Sequence, residues 1–124
     1  MSDTPFKPVI YLKQNCLFCL KVRIFLLEAG LLDSVTMREF VPGSDEEQSI
    51  RAELAGKVEK ITLPTAKLTT DSYLAGSDEI IAALAEKAGV DVALLPSYRS
   101  YIDGAFKNIQ ALYVENISLK KQLA

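Results

Sequence analysis

The chain contains no histidine and no tryptophan, only two cysteines, no long apolar run and no large excess of charge of either sign. Without histidine, a Ser-His-Asp or Cys-His catalytic device cannot be assembled, and most zinc sites lose their usual ligands. Cys16 and Cys19 alone cannot complete a four-ligand structural zinc site. A disulfide between them would close too short a loop to remove much unfolded-chain entropy, so structure is a poor reason for the pair. No apolar stretch approaches the ~18 residues of a membrane span. The start, Met1 to Pro8, is polar and proline-containing, unlike a secretory leader, so a cytoplasmic chain is expected. Lysine plus arginine total 14 and aspartate plus glutamate 16, a net charge of −2 that offers no electrostatic footprint for nucleic acid. Chemistry must therefore use thiols, carboxylates, amines, tyrosines or a bound small molecule.

What is present is a strongly patterned chain of 124 residues, 49% hydrophobic and 24% charged, which suits one domain. Val9–Leu12 reads as a strand buried on both faces. From Cys16 onward Val22, Phe25, Leu26 and Ala29 follow a helical period, and Gly30 is a plausible stop. Ser34–Val41 alternates as a second strand, ended by Pro42-Gly43. Ser44 with Glu47 is a capping-box pattern, and Ile50 and Leu54 give the helix one apolar edge, predicting the least buried helix. Ile61–Leu63, Pro64 and Thr65–Thr70 suggest a strand entered through a proline, and Tyr73–Ala75 its antiparallel partner across Asp71-Ser72. Ser77 or Asp78 can cap a third helix through Ala88. After the connection at Asp91–Pro96, Ser97 can cap a longer helix with an apolar stripe from Tyr98 through Tyr101, Ile102, Ala105, Ile109 and Leu112 to Tyr113. The stripe is expected to pack on the sheet, with a dimer contact as the alternative. The order β-α-β-α-β-β-α plus a C-terminal helix predicts an α/β fold, a four-stranded mixed sheet flanked by helices. Residues 1–124 are expected to be one domain, with a core at about 9–89 and a helical extension at about 97–121.

The central feature is Cys16-Leu17-Phe18-Cys19, where a strand gives way to a helix. Free N–H groups and the helix dipole at a helix start favour negative charge and lower a thiol's pKa. The three-residue step puts Cys19 on the same face one turn deeper, placed to resolve a mixed disulfide on Cys16. Two buried, inert cysteines would be the bland alternative, since cysteine packs well as a small hydrophobe.

Three segments together resemble the glutaredoxin family. Lys13-Gln14-Asn15-Cys16-Leu17-Phe18-Cys19 is similar to its signature of a lysine three residues before Cys-x-x-Cys. Thr62-Leu63-Pro64 is similar to the family's Thr-Val-Pro, and Ala75-Gly76-Ser77-Asp78-Glu79 to its Gly-Gly-x-Asp-Asp. The resemblance implies a thioredoxin-like fold and glutathione as co-substrate. It implies a cis Pro64, with Leu63 presenting its backbone to an extended thiol peptide. It further implies that Ser77 and Asp78 hold the γ-glutamyl end, while Lys13 and, more distantly, Arg51 take the glycine carboxylate. Against the pattern, Leu17 replaces the proline of Cys-Pro-Tyr-Cys and Ala75 replaces a glycine. The opening is also similar to the N-terminal domain of glutathione transferases.

The first expectation is thus a glutathione-dependent thiol–disulfide oxidoreductase acting on protein disulfides or glutathionylated thiols, without metal, nucleic-acid or membrane partners. It is expected as a monomer or weak homodimer. Two alternatives stay open: a glutathione-binding [2Fe–2S] module, because the loop lacks its proline, and a transferase-like glutathione-binding protein.

Overall fold

Strand β1 (Val9–Lys13) occupies an interior position of a four-stranded sheet ordered β2-β1-β3-β4. The computed structural model describes residues 6–123; Met1 to Pro5, part of the polar start read above, and Ala124 lie outside the described residues. Strand β2 (Thr36–Phe40) runs parallel to β1, pairing Val9 with Thr36 and Leu12 with Glu39. Strand β3 (Thr65–Thr69) is antiparallel to β1, and β4 (Ser72–Ala75) antiparallel to β3. The parallel pair needs a crossover, which helix α1 (Leu17–Glu28) supplies.

Alternation along β1 assigns the two faces. Ile10 and Leu12 join a core with Val22, Phe25 and Leu26 of α1 and Ile80, Ile81 and Leu84 of α3 (Ser77–Ala88). Tyr11 points the other way, into a smaller core with Phe40 and with Ile50 and Leu54 of α2 (Asp45–Leu54). The double burial expected of Val9–Leu12 follows from that position. Helix α2 begins where expected: Ser44 Oγ accepts the Glu47 N–H at 3.3 Å, and Glu47 accepts the Gly43 N–H at 2.7 Å. A mixed sheet with α1 and α3 on one face and α2 on the other is the thioredoxin-like arrangement.

Three local readings change. Ile61–Leu63 is not a strand; it is a loop leading into a cis Leu63–Pro64 peptide, and its apolar residues pack on the smaller core without pairing. Helix α3 is capped by neither Ser77 nor Asp78: Gly76 holds the cap position at φ 103°, a region open to glycine, and Ser77 and Asp78 are the first helical residues. Ser97 does not cap the next helix, α4 (Pro96–Tyr101). The Glu28 carboxylate, from the end of α1, accepts the Ser97 and Tyr98 N–H groups at 2.9 and 2.7 Å instead.

The C-terminal stripe also divides. Through a π-helical segment, Ile102–Phe106, α4 continues into α5 (Lys107–Leu123). Tyr98 and Phe106 are buried against the rest of the chain, but Ile109, Leu112 and Tyr113 are exposed, so α5, and not α2, is the least buried helix. The stripe runs past the edge of the core it was expected to cover. No described helix is long and apolar enough to cross a membrane.

Full burial separates residues that carry stability from those that do not. Phe25 is 0% exposed and stacks edge-on against Tyr98 at 6.1 Å, whereas Val114 is 61% exposed. Phe25→Ala should cost about 3–5 kcal/mol and Val114→Ala less than about 0.5 kcal/mol, read from urea unfolding of the two variants beside the parent.

Candidate active site

The dithiol sits where β1 hands over to α1. Asn15 turns the chain at φ 58°, a left-handed conformation that asparagine tolerates better than most residues. Cys16 then takes the N-cap of α1 with extended backbone, and its Sγ accepts the Cys19 N–H at 3.4 Å. A sulfur thus stands where serine or aspartate usually caps, facing N–H groups that have no helical partner. Cys19, one turn on, is buried at 1% exposure, and its Sγ accepts the Lys13 N–H at 3.3 Å. Both cysteines are free thiols.

The two sulfurs are pushed in opposite directions. The Cys19 thiol, donating to Cys16, lowers the Cys16 pKa to about 6 against the opposing effect of burial; the Cys19 and Phe18 N–H groups and the Lys13 charge lower it further. The same hydrogen bond, followed by burial, pushes Cys19 far up, so it stays protonated. One thiolate at the rim and one thiol behind it is the division of roles that thiol–disulfide exchange uses.

The remaining predicted residues fall around Cys16 unequally. The Leu63 carbonyl is 3.9 Å from Cys16 Sγ, and the Gly76 N–H donates to the Pro64 carbonyl at 3.2 Å. Leu63, Pro64, Ser77 and Asp78 therefore gather on the β3 flank of the dithiol. Ser77 is buried, while the Asp78 side chain is 80% exposed and already ion-paired with Lys21 of α1. Lys13 lies at the end of β1, on the other flank. Arg51 is held by Glu47 at 2.8 Å. The Gly43 N–H, then Arg51, and last the Lys13 charge hold the Glu47 carboxyl below its usual range. That sequence of partners connects Arg51 to the Lys13 side, although not to Cys16 directly.

A cleft of about 420 Å³ opens beside the dithiol on the β2 flank, walled by Lys13, Cys16, Leu20, the Arg23–Glu39 ion pair and Ile109 of α5. Lys13 is the one predicted binding residue that lines it. Among the described residues, no three Cys, Asp or Glu side chains gather as a metal site.

The sequence reading missed a second layer supplied by the C-terminal helix. Tyr101 donates its hydroxyl to the Leu17 carbonyl at 2.9 Å, in the first turn of α1. Burial first, and then the Cys16 charge, raise the Tyr101 phenol above its ordinary value, which places it within the field of the thiolate. Phe106 stacks edge-on against Phe18 at 5.4 Å, and buried Lys21 holds its ammonium 5.1 Å from the Phe106 ring centroid. Lys21, a charged residue on an otherwise apolar helix face, was the available signal. Glu39 gave none, because its place beside the dithiol depends on strand register.

Neither a family model nor a curated protein matches the chain. Among solved structures, glutathione transferase Omega 2C from Trametes versicolor is similar, with a TM-score of 0.50 and 20% sequence identity over 88% of this chain. The chain spans 46% of that protein's length. The likeness supports the thioredoxin-like fold.

Ionisation of Cys16 also sets a pH dependence of stability. Its folded pKa, about 6, lies below the ordinary unfolded value of roughly 8.5, so the folded state loses the proton first. The stabilisation is fully present above the unfolded value and lost as pH falls through the folded one. Under reducing conditions, the unfolding free energy of the parent minus that of Cys16→Ser should rise from about pH 6 to roughly pH 8.5. A flat difference would mean the thiol titrates as in an unfolded chain.

Proposed function

We propose that the chain is a glutathione-dependent thiol–disulfide oxidoreductase that reduces protein disulfides or glutathione mixed disulfides, with Cys16 as nucleophile and Cys19 as resolving thiol. The observation that carries this reading is the Cys16 sulfur at the α1 N-cap, its pKa lowered to about 6, with protonated Cys19 directly behind it. The three family-like segments, and a fold shared with a protein named as a glutathione transferase, favour glutathione as the thiol.

The exchange balances with thiols and disulfides alone. The Cys16 thiolate attacks the glutathione sulfur of a glutathionylated protein, forming a Cys16–glutathione disulfide and breaking the original S–S bond. The protein leaves as a thiolate and takes a proton from solvent. A second glutathione thiolate then attacks the mixed disulfide, releasing oxidised glutathione and the Cys16 thiolate. In the dithiol route Cys19 gives up its proton and attacks Cys16, releasing glutathione and leaving a Cys16–Cys19 disulfide. Two further glutathiones reduce that disulfide, becoming oxidised glutathione.

For the tripeptide, the Leu63 backbone beside Cys16 offers strand-like pairing. The N-terminus of α3 and the exposed Asp78 carboxylate suit the γ-glutamyl end. A glutathione ammonium would share the Asp78 carboxylate with Lys21, which the carboxylate's exposure permits. Lys13 suits the glycine carboxylate, and Arg51 joins it by exchanging its Glu47 partner. A glutathione-driven exchange fits a reducing, cytoplasmic compartment and a chain acting as one domain.

Turnover of a glutathionylated peptide by glutathione separates the two thiols. Cys16→Ser should lose activity by at least about 10³-fold, and Cys19→Ser should keep a monothiol activity within roughly tenfold of the parent. Ordinary turnover by Cys16→Ser would remove the mechanism.

A further inference from the structure

Helix α5 (Lys107–Leu123) is 17 residues long, yet none of its described residues is buried. Isolated helices near this length are marginal in water, and helices in proteins draw most of their stability from packing an amphipathic face. The exposed face of α5 has a definite pattern. Ile109, Asn116 and Leu123 recur at intervals of seven, and Leu112 and Leu119 fall three residues after the first two. In heptad terms the first set lies at a and the second at d. Ile109, Leu112, Leu119 and Leu123 are between 49% and 88% exposed. A shallow groove of about 510 Å³ runs along Ile109, Leu112 and Leu119, bordered by Tyr113, Glu115 and Asn116.

We propose that α5 pairs in parallel with α5 of a second copy of this chain, as a short two-stranded coiled coil. Three residue choices select that occupant. Ile109 at a over Leu112 at d is the combination that favours two parallel strands. Asn116 at the central a position is costly against an apolar partner, but across a parallel two-fold axis it meets Asn116 of the other copy and their amides pair. An antiparallel partner would set Asn116 against a leucine. Glu115 at g lies opposite Lys120 at e of the second copy in the parallel register, and symmetry makes this contact twice.

The pairing also has a place in the molecule. Ile109 begins the apolar face and forms part of the wall of the dithiol cleft. The second helix is therefore seated at the edge of that cleft. With little more than two heptads the dimer exchanges with monomer and is concentration-dependent.

Sedimentation velocity of the full chain under reducing conditions tests the pairing. The parent should show a monomer–dimer equilibrium. Leu112→Asp with Leu119→Asp should weaken association about tenfold or more, with the thermal midpoint of the diluted monomer unchanged because neither residue is buried. Glu115→Lys should weaken association, and adding Lys120→Glu should restore it. Orientation is read in a Cys16→Ser, Cys19→Ser background: Leu123→Cys should cross-link two copies on mild oxidation, because only parallel helices bring these ends together. A parent that stays monomeric at every concentration overturns the proposal. So does a dimer indifferent to the paired aspartates, and a dimer in which Leu123→Cys does not cross-link overturns the parallel pairing.

Discussion

The hydrogen bonds at the first turn of α1 are the constraint on which the rest of the site depends. A helix start presents N–H groups without intrahelical partners, and here a sulfur replaces the oxygen that usually meets them. The Cys19 N–H reaches Cys16 Sγ at 3.4 Å, and the Lys13 N–H reaches Cys19 Sγ at 3.3 Å. The Cys19 thiol, donating to Cys16 with the help of the Cys19 N–H, stabilises one sulfur as an anion, and that donation followed by burial keeps the other neutral against the Lys13 N–H. Both effects require the start of α1 to be fixed relative to the end of β1. That is a matter of packing: Val22, Phe25 and Leu26 are each 0% exposed.

The C-terminal segment secures the same helix from outside. Glu28, at the far end of α1, caps α4, and Tyr101 returns to the Leu17 carbonyl near its beginning. Phe106 closes the apolar contact over Phe18 and lies beside the ammonium of Lys21, which in turn reaches Asp78 at the start of α3. The dithiol loop, the α3 N-terminus and the π-helical segment thus share one set of contacts. A substrate contact at Asp78 would be transmitted to α1 through Lys21. The extension beyond the sheet supports the candidate site through Phe106 and reaches its cleft at Ile109, although no described residue of α5 is buried.

Much of this was legible in the sequence, for identifiable reasons. An unbroken apolar run marks β1, the 3.6-residue period marks α1, alternation marks β2, and cap and stop signals mark α3. Cys16 and Cys19 were legible because strand, turn and helix signals flank them closely. The loop at Ile61–Leu63 was misread because burial in a loop leaves the same apolar trace as a short strand. Ser97 and Ser77 looked like caps, but Glu28 supplies the first cap from 69 residues away, and Gly76 takes the second position by its backbone freedom. Lys21 left a local trace, a charge on an apolar helix face, but Glu39 and Tyr101 escaped because their roles come from register and helix docking, which local pattern does not encode. The apolar trace of α5 was legible, whereas the exposure of all its described residues was not.

The proposed exchange requires that Cys16 alone carry the negative charge of the pair. Thiolate absorbance followed across a pH titration of the reduced protein measures this directly, with Cys16→Ser and Cys19→Ser assigning the signal. One thiolate should appear with a midpoint near pH 6 and be lost in Cys16→Ser, with no second ionisation below the ordinary cysteine range. A single step at roughly pH 8.5 for both thiols, as in an unfolded chain, would contradict it.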